Sequence, residues 1–301
     1  MTLSAYSYVA ANKSKTWIIM ILFTAAIATV AYILGKASGY GLSWAGIALV
    51  ISGLTGLGSY YYGDKLVLSM SGARVADRKR DFDLFTVVEN IALAAGLPKP
   101  KVYVIEDKAP NAFATGRDPN HAVVCVTRGL LEKLDRRELE AVIAHEMSHI
   151  QNFDTRLMAV VVVLVGMLAF LSDWFMRMIW FGRGGHNRNE RGNAGAPLFA
   201  IGLVLAVISP LVATLIQLAI SRRREFLADA SASLLTRNPD ALALALEKIA
   251  DDKSVLKNAS NATAHLYIVN PFKGKSMTAW FTSLFNTHPP IEERIKILKA
   301  M

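Results

Sequence analysis

Four stretches of this 301-residue chain are so apolar that a membrane suits them better than water. The first runs from Trp17 to Leu34 and the second from Leu42 to Tyr62, neither holding a charge. The third is apolar from Leu157 to Leu171, then meets Asp173 and Arg177 before ending near Phe181. The fourth runs from Pro197 to Ile220, with Gln217 its most polar member. A spanning helix needs about 20 predominantly apolar residues. Segments one, two and four meet that length. Segment three meets it if Asp173 and Arg177, four residues apart and able to pair, are tolerated. Segment one is also long for the apolar core of a signal peptide and no small-residue cleavage site follows it, so an anchor is the expectation.

The segments leave 63–156 and 221–301 as polar blocks. Lys and Arg near the ends of spans set orientation. Lys13 and Lys15 precede segment one, only Lys36 separates the first pair, and Lys65, Arg74, Arg78, Lys79 and Arg80 follow it. The N-terminus and both polar blocks therefore read as cytoplasmic, because a second hairpin returns to the side it left. Arg183, Arg188 and Arg191 in the 183–196 loop break the rule, so the second hairpin either spans with a basic outer loop or does not fully cross. The net charge of +9 is assigned to the anionic face of the bilayer, with no nucleic-acid partner. Arg222–Arg224 reads as part of that anchoring. The apolar fraction of 53% rules out disorder, and a lone cysteine, Cys125, excludes an internal disulfide.

Within the first block, residues 81–95 read as an amphipathic helix with Phe85, Val88, Ile91, Leu93 and Ala95 inward. Strands are expected at 101–106, 111–115 and 122–127, the last two split by the turn residues 116–120. Asp135 then caps a helix, with Glu138 completing a capping box. In the second block, helices are expected over 222–235 and 239–251, and a last one ends at Lys299.

The helix after Asp135 carries His145-Glu146-Met147-Ser148-His149. Residues four apart share a helix face, so the two imidazoles can grip one zinc ion. The ion lowers the pKa of the water it holds to about 7, and Glu146 beside it can take the proton. A catalytic zinc needs a third protein ligand. His121, His186, His265, His288 and several carboxylates are available. Glu225 stands out, at the start of a helix on the same side as His145; a salt bridge to Arg222, Arg223 or Arg224 explains it equally well. Asp229, one turn on, could accept the second N–H of a ligating histidine. His121 reads as a surface residue, His265 as structural, and Cys125 as a buried small hydrophobe.

The sequence resembles the HtpX-type membrane zinc metalloproteases, relatives of the CAAX prenyl endopeptidases. The matching stretches are Asn111–Gly116, Glu138–His149, Glu225–Asp229 and Thr287–Arg294, in the same order and with the same two hydrophobic segments on either side of the motif. Met147 replaces the commoner leucine, a volume-conserving departure. CAAX processing itself fits less well, because those relatives carry more spans. The resemblance implies a mainly α-helical membrane protein: four hydrophobic helical segments plus a zincin-like α+β metallopeptidase domain with a small sheet. The divisions are a two-helix anchor at 1–62, the first part of the zincin domain at 63–156, a second hydrophobic hairpin at 157–220 and the rest of the domain at 221–301. It implies one zinc per chain held by His145, His149 and Glu225, with Glu146 as general base and Asp229 behind a ligand. His288 and Arg294 would lie near the site, stabilising the oxyanion or bracing the ligands. Asn111, Ala112, Phe113 and Ala114 would hold extended substrate by main-chain pairing. The expected activity is endopeptidase cleavage in the plasma or inner membrane, on misfolded or damaged membrane proteins under stress. The rival reading is a silent adaptor or transporter that keeps the domain; the intact Glu146 speaks against it.

Overall fold

The computed structural model describes residues 5–37, 42–182, 222–257, 263, 266–269 and 289–301. It is mostly helical with one small mixed sheet. The first two helices, α1 (Ala5–Ala37) and α2 (Leu42–Met70), outrun the charge-free segments they contain. Backbone hydrogen bonding sets where a helix ends, so α2 continues through Asp64 and Lys65. These two helices pack on each other, and α2 packs on a later long helix, α6 (Asp154–Gly182). Gly63 permits that approach, since a Cβ there would stand 3.3 Å from the Ala159 side chain. On their other sides, α1 and α2 expose large apolar residues, among them Ile21, Leu49, Val50, Ile51 and Leu54. Among the described residues, one helix, Val9–Tyr32, is long and apolar enough to cross a membrane. α6 carries the third segment unbroken; the side chains of Asp173 and Arg177, the 183–196 loop and the fourth segment lie outside the described residues.

The polar blocks build one core. Strands β1 (Arg74–Val75), β2 (Lys101–Ile105), β3 (Ala112–Thr115) and β4 (Val123–Thr127) form a sheet ordered β1-β2-β4-β3. β2 and β4 run parallel, while β1 and β3 pair antiparallel at the two sides. Between β1 and β2 lies α3 (Phe82–Ala94), which buries Leu84, Val87, Val88, Ile91 and Ala92. The inward face is thus turned from the expected one: Leu93 is exposed and Phe85 half-buried, because 84, 87/88 and 91 form the row that meets the core.

A short helix, α4 (Arg128–Lys133), follows β4, and α5 (Arg136–Gln151) follows it. The Asp135 carboxylate accepts from Glu138 N and the Glu138 carboxylate from Asp135 N, so the box closes both ways. Packed on α5 are α7 (Arg222–Thr236) and α8 (Pro239–Asp251), and α9 (Ile291–Leu298) packs on α8. α5 is therefore a central helix, buried almost without interruption from Glu138 to Ile150. It ends at an 80° bend into α6, made at Phe153, which takes φ 59°.

Candidate metal centre

Burial of α5 brings His145, Glu146 and His149 inside the protein, each less than a tenth exposed. The i,i+4 spacing sets the two rings edge to face, with the Nε2 atoms 3.2 Å apart. Because α7 packs across α5, Glu225 joins them: Oε2 is 3.7 Å from His145 Nε2 and Oε1 is 3.7 Å from His149 Nε2. One ligand atom from each of the three residues lies within 4.8 Å of the others, a group able to hold a metal ion.

The other nitrogen of each imidazole meets a carboxylate. His145 Nδ1 is 2.9 Å from Asp229 Oδ1, and His149 Nδ1 is 3.0 Å from Asp154 Oδ2. In the neutral rings such partners fix the tautomer and turn the Nε2 lone pairs toward the common centre, where a bound metal would take the place of the proton. Two imidazoles and one carboxylate with paired outer nitrogens are the donor set that zinc takes in hydrolytic sites, so the residues present fit the ion.

Charges around the group are ordered. Burial opposes a positive His149, but the Asp154 hydrogen bond and the Glu225, Asp154 and Glu146 charges outweigh it and carry its pKa to about 9. Burial dominates at Glu146 and raises its pKa, against the pull of His145 and His149 and a hydrogen bond from Ala114 N–H. Burial would raise Asp229 too, but Arg294 and His145 hold it down at about 2. Arg294, wholly buried, donates from Nη2 and Nε to both Asp229 oxygens and approaches Glu225 at 3.6 Å. Its Nη2 stands 3.5 Å from His145 Nδ1. A guanidinium committed in this way braces the centre from behind.

The pocket over the centre is lined by His145, His149 and Glu225 with Glu146, Ala114, Met158, Leu266 and Ile268. Of the expected substrate strand, Ala114 therefore reaches the pocket. The rest is enclosed. Phe113 is fully buried against Tyr267 at a ring separation of 5.3 Å. Ala112 O accepts from Ile268 N, and Asn111 Nδ2 donates to Val269 O. Residues 266–269 thus lie along the outer edge of β3 at Ala112.

Arg224 is a correction: it is not available to lipid headgroups, but is buried with Nη1 3.0 Å from Asp154 Oδ1. Among the described residues, Arg294 stands beside Glu225, at 3.6 Å. His121 is exposed and bonded to Asp118, away from the centre. Cys125 is fully buried and burial raises its pKa, as a small apolar core residue requires. His186, His265 and His288 lie outside the described residues. Sequence reasoning missed Asp154; its signal was a helix-starting acid just after the motif helix, hidden by the apolar run that follows.

The model for Peptidase family M48 matches residues 78–301. A Protease HtpX homolog of Caldanaerobacter subterraneus subsp. tengcongensis is 46% identical over 98% of this chain and 97% of its own length. One of Streptococcus pneumoniae is 44% identical over 98% and 99%. A crystal structure of S. mikatae Ste24p aligns with TM-score 0.49 and 18% identity, covering 95% of this chain and 67% of that one.

Proposed function

This chain belongs to Peptidase family M48 and is a metalloprotease, and from that premise we propose that it is an integral-membrane zinc endopeptidase with its site at the cytoplasmic face. The observation that carries the reading is the convergence of His145, His149 and Glu225 beside the buried carboxyl of Glu146. Zinc held there would act as a Lewis acid, lowering the pKa of water so that hydroxide is available to attack a peptide carbonyl at neutral pH. Glu146 is the general base: lining the pocket beside His145, His149 and Glu225, its carboxylate would take the water's proton and pass it to the leaving amine. Ala114, at the outer edge of β3, offers main-chain pairing that tolerates many side chains. Arg294 acts through Asp229 and Glu225 as a positioning residue.

The anchor at 1–62 and the hairpin at 157–220 hold the two halves, 63–156 and 221–301, at the bilayer. The exposed apolar faces of α1 and α2 support this, as do the basic residues that flank the first pair of segments. Broad main-chain recognition beside a membrane suits removal of misfolded or damaged membrane proteins under stress. The intact Glu146 leaves the silent-adaptor reading without support.

The test is hydrolysis of casein and of an unfolded membrane protein by the detergent-purified chain. Cleavage is expected to stop when a chelator removes the metal and to return when zinc is restored. Cleavage indifferent to metal removal contradicts the proposal.

A further inference from the structure

The bend between α5 and α6 places a buried carboxylate where three parts of the chain meet. Asn152 caps α5, Phe153 turns the backbone, and Asp154 opens α6. Asp154 Oδ2 meets His149 Nδ1 at 3.0 Å. Its other oxygen accepts from Arg224 Nη1 at 3.0 Å and from Asn12 Nδ2 at 2.8 Å. Asn12 lies on α1, far away in sequence, and is itself buried. The same Asn12 nitrogen donates to Asn152 O at 2.9 Å. An amide nitrogen has two hydrogens, so Asn12 spends one on the end of the motif helix and one on Asp154. Next to it, Lys13 Nζ stands 4.4 Å from the Phe153 ring centre, so α1 also grips the apex of the bend.

These contacts have a chemical consequence. A carboxylate that accepts from His149 Nδ1 fixes which nitrogen of the ring carries its proton and how the ring is turned. Asp154 does this only while its own rotamer is held, and Asn12 and Arg224 are what hold it. We infer that Asp154 is a positioning residue for His149 and that Asn12 fixes Asp154, so that seating of the first helix governs how tightly the chain holds its metal. The inference rests on the zinc-peptidase reading above. It makes the anchor part of the metal site rather than only a tether.

The test is a double-mutant cycle on zinc affinity, read by competition with a chromophoric chelator on the full chain in detergent. Asn12→Leu keeps the branched shape and removes the donor; Asp154→Asn keeps the shape and removes the charge. Each is expected to weaken zinc binding by about 10-fold or more, the size of outer-partner effects at other zinc sites. Because Asn12 acts through Asp154, the double variant should bind within about twofold of Asp154→Asn alone. Thermal unfolding of the metal-free proteins is followed in parallel, and zinc affinity should fall with the fold intact. Should Asn12→Leu fail to fold, Asn12→Ala carries the same expectation. Zinc affinity unchanged in either single variant overturns the inference, as do losses that multiply in the double variant or merely track unfolding. A parent chain that binds no zinc overturns the peptidase reading and this inference together.

Discussion

Arg294 closes on Asp229 through two hydrogen bonds, Nη2 to Oδ1 at 2.6 Å and Nε to Oδ2 at 2.8 Å, with both side chains buried. The pair lies directly behind His145. Removing the guanidinium leaves Asp229 and Glu225 buried without their shared cation, which is far more costly than losing a surface pair. Arg294→Met is therefore expected to destabilise the fold by about 3–5 kcal/mol and to lower zinc occupancy. Arg294→Lys should recover little, because a point charge cannot reproduce the fork. Denaturant unfolding and metal analysis check both. A stable, fully zinc-loaded Arg294→Met would contradict the bracing role.

Among the described residues, Glu225 is the carboxylate that groups with the Nε2 atoms of both histidines as a possible metal site. Glu225→Ala should lose the metal to dialysis at concentrations where the parent keeps it, and His145→Ala and His149→Ala should behave alike. Full zinc occupancy in Glu225→Ala would show that another residue is the third ligand.

How far the sequence foretold these contacts depends on their range. α5 was legible to its first residue, because the Asp135–Glu138 box is a local device. Pro239–Asp251 was equally plain, with Asn238 capping and proline at the first turn. β1 was not, since two residues carry no period and owe their strand to pairing with β2. The bend at Phe153 was hidden as well, because no glycine or proline marks its positive φ. That bend sets Asp154 against His149. The His145–His149 pair follows from helix geometry alone, but the approach of Glu225 depends on how α7 crosses α5, which spacing leaves open. Arg224 shows the same limit: a basic run at a helix start reads as surface until packing buries one member.

Asn111 ties the 266–269 segment to β3 through its bond to Val269 O, beside the bond from Ile268 N to Ala112 O. Asn111→Ala should release this segment. Hydrogen exchange at the Ile268 amide is expected to speed up while exchange along α5 stays slow. Equal protection in the variant and the parent would mean that the Asn111 side chain does not hold the segment.

Glu106 gathers Arg74, Arg80 and Arg128 at the sheet's β1 side. Hydrogen bonds from Arg128 and Arg74, opposed by slight burial, depress its pKa from 4.5 to about 2. A carboxylate whose folded pKa is depressed adds stability above its unfolded value, and the gain is lost as pH falls through the folded one. Stability should therefore decline between about pH 4.5 and 2 as the carboxylate is protonated. Glu106→Gln should remove part of that slope and be slightly less stable than the parent near neutrality, where the parent's carboxylate is charged. The effect is modest, because the group is partly exposed and solvent screens it. Thermal melts across that range check it; an unchanged slope would contradict the assignment.

The central claim is that Glu146 moves the proton while His145, His149 and Glu225 hold the metal. Metal content and casein hydrolysis measured on one preparation of Glu146→Gln test it most directly. The account predicts zinc occupancy equal to the parent's, with turnover lower by about 10²–10⁴-fold, the loss expected on removing a general base. Undiminished turnover in a zinc-loaded Glu146→Gln would contradict it.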